Sequence, residues 1–139
     1  MLREQGVVPG RGALRWEPAL ESGPVDWLIV HEREGQPFVS VGRVSHGYLV
    51  RSHGLADFLV SADGSTVSVA PEAGVDRGEV EDAFEQQVLP GIHQLAGCPA
   101  LHASAVACDE GIVAFTGPSF AGKSTMAALL SREGSIKSW

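Results

Sequence analysis

Short apolar runs separated by turn residues follow one another from residue 25 to residue 69. Apolar residues alternate with polar ones in Thr66-Val67-Ser68-Val69, which is typical of a half-buried strand. Asp63-Gly64 lies between the last two runs and is a common sequence for a tight hairpin turn. The pattern predicts an antiparallel meander, and not a series of strands and crossover helices, with strands over 25–30, 37–41, 48–51, 56–60 and 66–69.

A helical pattern begins at residue 79, where Val80, Phe84 and Val88 fall on one stripe and acidic residues occupy other positions. We expect a helix over 79–87. Pro90 is expected to break it and to start a second short helix that runs through Leu95. The acidic residues of the first helix predict a solvated face and not a carboxylate cluster.

Two further strand candidates, 101–108 and 112–116, are separated only by Asp109-Glu110-Gly111. Such a short connection predicts a hairpin with antiparallel strands. At the other end of the chain, residues 1–24 are rich in Gly, Pro and Arg and predict a loosely ordered arm. The predicted fold class is therefore α+β, with the arm at 1–24, a β-meander and helical region at 25–97, and a last region at 98–139.

The second strand of this hairpin runs directly into Gly117-Pro118-Ser119-Phe120-Ala121-Gly122-Lys123-Ser124. This segment matches G-x-x-x-x-G-K-[ST], the Walker A or P-loop pattern. Its glycines let backbone N–H groups turn toward phosphate oxygens, Lys123 can reach the terminal phosphates, and the Ser124 hydroxyl can join the coordination of Mg²⁺. Residues 123–133 predict a helix closed by Gly134, with its positive end toward the phosphates.

The motif therefore predicts a nucleotide-binding site. Its residues are Gly117, Pro118, Ser119, Phe120, Ala121, Gly122, Lys123, Ser124 and Thr125, and Ser124 is the predicted Mg²⁺ ligand. The alternative is a glycine-rich turn with an incidental lysine. Against it, the chain has only two lysines, Lys123 and Lys137, and one of them stands where the motif needs it.

The hairpin also assigns a place to His102. If Cys108 lies opposite Ile112, His102 lies level with Gly117 and Pro118, beside the phosphate loop. Asp109 then lies at the other end of the strand, about 20 Å away at about 3.4 Å per residue, so it is not the acidic metal partner of the loop. His102 is thus a candidate catalytic residue; the alternative is a half-buried strand histidine bonded to the backbone. His31, His46, His53 and His93 show no metal-ligand spacing.

Composition narrows the class of ligand. The chain has 139 residues, 44% of them hydrophobic, and a net charge of −7 with no basic run, so nucleic acid is not an expected partner. No stretch approaches the roughly 20 apolar residues of a membrane helix, and the N-terminus lacks the apolar core of a signal peptide. Cys98 and Cys108 form no C-x-x-C pair and predict buried free thiols. We expect a cytoplasmic protein that binds a small nucleotide.

Phosphoryl transfer also needs carboxylates that hold Mg²⁺ and orient the acceptor. In P-loop proteins these usually follow the P-loop helix, and the five residues after Gly134 contain no acid. We therefore expect an incomplete P-loop domain that is truncated after its first helix.

The segment from Leu101-His102-Ala103-Ser104-Ala105-Val106 to the P-loop and Thr125 resembles the HPr kinase/phosphorylase C-terminal domain family. It is most similar to the short HPr-kinase-like serine kinases found beside peptide-tailoring enzymes in bacterial biosynthetic clusters. The resemblance covers residues 101–134 and, less specifically, residues 48–95.

This resemblance implies an ATP-dependent transferase that phosphorylates a serine of a protein or peptide, with ATP and Mg²⁺ as cofactors. It implies a mixed-sheet core of the phosphoenolpyruvate carboxykinase type, His102 near the phosphates, and a homo-oligomer. Phe120 stands where many relatives carry glycine, and the acidic pair expected after the helix is absent. The kinase chemistry is therefore expected to be lost from this chain alone. The alternative is a non-catalytic nucleotide-binding or regulatory module.

Overall fold

The structure is a computed structural model that describes residues 9, 13–118 and 120–131 and the main chain of 137–138. The chain divides into two compact units between Ala100 and Leu101. The predicted boundary between residues 97 and 98 lies three residues earlier. Within these units the fold is mixed α+β, with one large mixed sheet, as the fold class predicted.

The first unit is built on a six-stranded sheet with the order β1-β6-β5-β4-β3-β2. Neighbours from β2 to β6 pair antiparallel, so the predicted meander is confirmed. Most of its strands extend beyond the predicted ranges, because the pairing continues toward the turns that join them. The strands are β1 (Leu14–Trp16), β2 (Asp26–Arg33), β3 (Gln36–Val44), β4 (Gly47–Ser52), β5 (Ala56–Ser61) and β6 (Val67–Pro71).

Strand β1 corrects the expectation of a loosely ordered arm over the whole of residues 1–24. Leu14, Arg15 and Trp16 pair parallel to Val67, Ser68 and Val69 of β6. Leu14 is buried in the core, and the Arg77 guanidinium lies 4.4 Å from the centroid of the Trp16 ring. Burial of one leucine and this cation–π contact hold the strand on the sheet.

A continuous helical run follows the sheet, in three parts: α1 (Arg77–Ala83), a π-helical segment (Phe84–Val88) and α2 (Leu89–Leu95). The Asp76 carboxylate caps its start by accepting a hydrogen bond from the Gly78 N–H at 2.8 Å. The predicted second helix through Leu95 is confirmed, with Pro90 in its first turn, but the predicted break before it is wrong because the helical run is continuous. The Leu89 N–H donates to the Phe84 carbonyl, five residues back, and this wider turn accommodates a proline that lacks an N–H and crowds the preceding turn.

The helical run covers one face of the sheet and encloses the core of the first unit. In β5 the buried residues alternate with less buried ones, as in a strand with one face toward a core. The rings of Phe58 and Phe84 meet there with their centroids 6.3 Å apart. The buried core residues are Leu14, Val39, Val50, Ala56, Phe58, Val60, Val67, Val69, Val80, Ala83, Phe84, Val88 and Ile92.

The second unit contains the predicted hairpin. Strands β7 (Ala103–Cys108) and β8 (Gly111–Thr116) pair antiparallel, and β9 (Lys137–Ser138) pairs antiparallel on the other side of β7. Helix α3 (Lys123–Ser131) packs against β7. The predicted helix extended to residue 133, and residues 132–134 lie outside the described part of the chain. Burial here is thin: Val106 and Ala127 are buried, whereas Ile112 of β8 is 73% exposed.

Candidate nucleotide-phosphate site

The motif residues form a loop between β8 and α3. Strand β8 ends at Thr116, the loop begins at Gly117, and α3 begins at Lys123. This is the strand–loop–helix order that the pattern predicts. The structure brings together the predicted residues 117, 118 and 120–125, while Ser119 lies outside the described residues.

The backbone of the loop adopts conformations that favour glycine at both glycine positions of the motif pattern. Gly117 has a φ of 150° and Gly122 a φ of 82°. A side chain at Gly122 would meet no atom within 4 Å, so the glycine is needed there for its backbone conformation and not for space. Gly122 also starts the helix, because its carbonyl accepts the Met126 N–H at 2.9 Å.

Phe120 adopts a left-handed conformation, with a φ of 65°, although it is not a glycine. Its side chain is fully exposed, and no burial of the ring offsets the backbone strain. The loop therefore keeps a conformation that suits glycine at a position where this chain carries a bulky residue. The P-loop pattern itself does not restrict that position.

Lys123 places its ammonium group over the loop. Its Nζ donates to the Gly117 carbonyl at 2.9 Å and to the Pro118 carbonyl at 2.8 Å. The side chain therefore folds back from the first residue of α3 to the entrance of the loop. A positive charge at this point lies where the motif requires it for contact with phosphate oxygens.

The start of α3 adds to the positive character of the site. The N–H groups in the first turn of a helix have no acceptor within the helix, and the helix dipole places positive charge there. No acidic residue occupies the first turn of α3. A surface cavity of about 330 Å³ opens here, lined by Phe120, Gly122, Lys123, Ser124 and Thr125.

A residue of the neighbouring strand reaches the motif as well. The Ser104 hydroxyl of β7 lies 3.2 Å from the Ser124 hydroxyl, within hydrogen-bond distance. Ser104 is not among the residues that the motif predicted. Ser104 lies outside the P-loop pattern, and no local sequence signal indicates its contact with a residue twenty positions later.

The pairing of β7 with β8 tests the predicted position of His102. The observed pairs run from Cys108 opposite Gly111 to Ala103 opposite Thr116, one residue away from the predicted register. His102 directly precedes β7 and is exposed, so its backbone lies next to the pair that leads into Gly117. A catalytic role for His102 stays a prediction.

Asp109 and Glu110 form the turn at the far end of the same hairpin. The five steps of pairing between this turn and the phosphate loop correspond to about 17 Å. The prediction that Asp109 lies away from the loop is therefore confirmed within this unit.

Other candidate groups belong to different environments. The Asp57 carboxylate accepts two hydrogen bonds from Arg51, both at 2.8 Å, and His53 Nε2 lies 2.8 Å from the Ser40 hydroxyl. Across the described residues, no three His, Cys, Asp or Glu side chains are grouped so that they could hold a metal ion. Cys98 and Cys108 are free thiols, but they are partly exposed and not buried as expected.

The site fits the phosphates of a nucleotide better than it fits a metal ion alone. The Lys123 ammonium and the start of α3 supply positive groups to an anion. For Mg²⁺, the cavity supplies the Ser124 hydroxyl as a ligand. A Mg²⁺ ion held there would take its other ligands from water and from the phosphates of the nucleotide.

Comparison of the chain with protein-family models, with curated proteins and with solved structures found no match. Among the described residues, the helices are all too short or too polar to cross a membrane.

Proposed function

We propose that residues 117–125 bind the phosphates of ATP. The observation that carries this proposal is the Lys123 ammonium, which lies over the loop at 2.9 Å and 2.8 Å from the Gly117 and Pro118 carbonyls. An incoming phosphate group would compete with these carbonyls for the same N–H donors. It would gain the stronger hydrogen bonds that form between charged partners.

Each part of the loop has a separate role in this proposal. The first-turn N–H groups of α3 donate to phosphate oxygens, and Lys123 neutralises charge on the terminal phosphates. The Ser124 oxygen would hold Mg²⁺, which neutralises charge on the same phosphates when it is bound. Gly117 and Gly122 keep the backbone in the conformation that allows these contacts.

The wider proposal is that the chain is of the HPr-kinase-like type, in which ATP phosphorylates a serine of a protein or peptide. The antiparallel β7–β8 hairpin that leads into the loop, with His102 at its entrance, supports it. A core of the phosphoenolpyruvate carboxykinase type and a homo-oligomer belong to the same proposal, because the sequence resemblance implies them. A cytoplasmic location belongs to it as well, on the composition of the chain.

The second candidate function is a module that binds nucleotide without transferring phosphate. One observation favours it: Asp109 and Glu110 lie at the end of the hairpin away from the loop. Because no carboxylate among the described residues of this unit lies near the loop, these residues supply neither a general base for the acceptor hydroxyl nor an acidic ligand for Mg²⁺. Such losses cost several orders of magnitude in rate for this class of reaction, as a rough guide.

The binding of ATP with Mg²⁺ to the full chain, measured by isothermal titration calorimetry, tests the first proposal. Lys123→Ala is expected to weaken binding by about ten- to a hundredfold, since it removes charged hydrogen bonds. Lys137→Ala is the matched control and should bind as the wild type does. Equal affinity of wild type and Lys123→Ala would refute the phosphate site.

Transfer of labelled phosphate from ATP separates the two candidate functions. Little or no transfer by the full chain, with intact Lys123-dependent binding, supports the binding module. Robust transfer that disappears in Lys123→Ala supports an active kinase.

A further inference from the structure

A hydrogen bond between two serine hydroxyls links β7 to the first turn of α3. Ser104 is the second residue of β7, is half-buried, and pairs with Phe115 one step from the end of β8. Its Oγ lies 3.2 Å from the Oγ of Ser124, the second residue of α3. The bond therefore joins the strand beside the loop to the residue that the motif assigns to the metal.

The chemistry of a serine hydroxyl that binds a metal ion suggests a role for this hydrogen bond. A hydroxyl has one proton and two acceptor positions. When its oxygen binds a cation through a lone pair, its proton must point to another acceptor. Either serine can donate in the bond between Ser104 and Ser124, so the Ser104 oxygen can accept that proton.

We infer that Ser104 is a positioning residue for Mg²⁺ that arrives with the nucleotide. Its oxygen accepts the Ser124 proton and so turns a lone pair of Ser124 toward the ion. This inference rests on the proposed phosphate site. It adds a residue on a different strand, to which the P-loop pattern assigns no role.

The antiparallel hairpin explains why a residue of β7 can do this. An antiparallel neighbour begins where β8 ends, so the first residues of β7 lie beside the phosphate loop. The same geometry carries Asp109 and Glu110 to the far end. Among the described side chains of this unit, Ser104 is the one that forms a hydrogen bond with Ser124.

The bond between Ser104 and Ser124 is weak in the structure as it stands. A distance of 3.2 Å is long for a bond between two hydroxyl groups. A hydroxyl that ligates a cation is a stronger donor, and bonds assisted by charge are shorter. The contribution of Ser104 should therefore be larger with Mg²⁺ than without it.

The experiment measures the affinity of the full chain for ADP by calorimetry, once with Mg²⁺ and once with EDTA. Ser104→Ala is expected to weaken binding of ADP with Mg²⁺ by about three- to tenfold, the effect of one lost hydrogen bond, and to leave the affinity for ADP in EDTA unchanged. Ser104→Thr keeps a hydroxyl and should restore the Mg²⁺ effect.

Ser131→Ala is the matched control, because the Ser131 hydroxyl donates to the Ala127 carbonyl at 2.7 Å at the other end of α3. It should bind ADP as the wild type does in both conditions. Equal weakening of Ser104→Ala with and without Mg²⁺, or no weakening, would overturn the inference while Lys123-dependent binding still upheld the site. Absence of Lys123-dependent ADP binding in the wild type would overturn the proposed function and this inference with it.

Discussion

In the first unit a six-stranded sheet and a helical run enclose a core that includes Phe58 and Phe84, whereas in the second unit the buried apolar residues described are Val106 and Ala127. Ile112 and Phe120 are exposed in the second unit, and Leu28, Ile29 and Val30 of the edge strand β2 are about half exposed in the first. The side-chain hydrogen bonds of the second unit at Lys123 and between Ser104 and Ser124 gather around the loop.

The comparison shows that the apolar core, which stabilises the fold, and the candidate phosphate loop lie in different units. Burial of apolar surface is the main source of folding free energy, so the first unit should resist unfolding more than the second. A ligand that binds only the folded form stabilises the part that binds it. Nucleotide should therefore stabilise the second unit selectively.

The largest expected effect comes from a matched pair of apolar truncations. Phe58→Ala removes a fully buried ring that contacts Phe84 and should lower the free energy of unfolding by about 3–5 kcal/mol. Ile112→Ala removes a side chain that is 73% exposed and should change it by less than about 0.5 kcal/mol. Urea denaturation followed by circular dichroism measures both, and an equal loss in the two variants would remove the contrast between the units.

A smaller and opposite effect is expected at Phe120. Phe120→Gly relieves a φ of 65° and should stabilise the second unit by about 1 kcal/mol, with part of the gain lost to the greater freedom of glycine in the unfolded chain. Phe120→Ala keeps the strained backbone and serves as the control. The change is measured by hydrogen exchange of the Val106 amide, which should be slower in Phe120→Gly than in Phe120→Ala. Slower exchange in Phe120→Ala would show that the backbone at residue 120 is not strained.

The smallest effect concerns pH and the turn between β5 and β6. Hydrogen bonds from Ser61 and then from Ser65 lower the pKa of the Asp63 carboxyl to about 2. Because the folded pKa lies below the ordinary value of 3.8, the contribution of Asp63 is complete above that value and is lost as the pH falls toward 2.

Asp63→Asn, which does not titrate, isolates this contribution. Its Tm should lie slightly below that of the wild type at neutral pH, and the two values should converge near pH 2. A difference in Tm that is the same at both pH values would show that the charge of Asp63 does not stabilise the turn.

Patterns between neighbouring parts of the sequence predicted much of the fold. Alternation and short turns predicted the meander and the β7–β8 hairpin, because these pairings join strands that follow one another. The phosphate loop was predicted because its motif depends on local backbone conformation. Its phosphate-binding role stays a proposal.

The structural features that the sequence did not predict depend on contacts between residues distant in sequence, or on one helical turn widening to accommodate a residue in the next. Strand β1 has three residues and pairs with β6, about fifty residues later, which no local pattern indicates. The helix passes Pro90 because the turn before it widens, and no sequence rule for proline predicts that. Ser104 is a candidate site residue only because its hydroxyl contacts that of Ser124, which lies twenty residues away in the sequence.

Amide hydrogen exchange of the full chain, with and without ADP and Mg²⁺, tests most directly whether residues 117–125 hold nucleotide phosphates. We predict slower exchange in the loop, in α3 and in β7 of the wild type, no change in β3 to β6, and no response in Lys123→Ala. Unchanged exchange in the loop at saturating nucleotide, or the same slowing in Lys123→Ala, would contradict a phosphate site in the second unit.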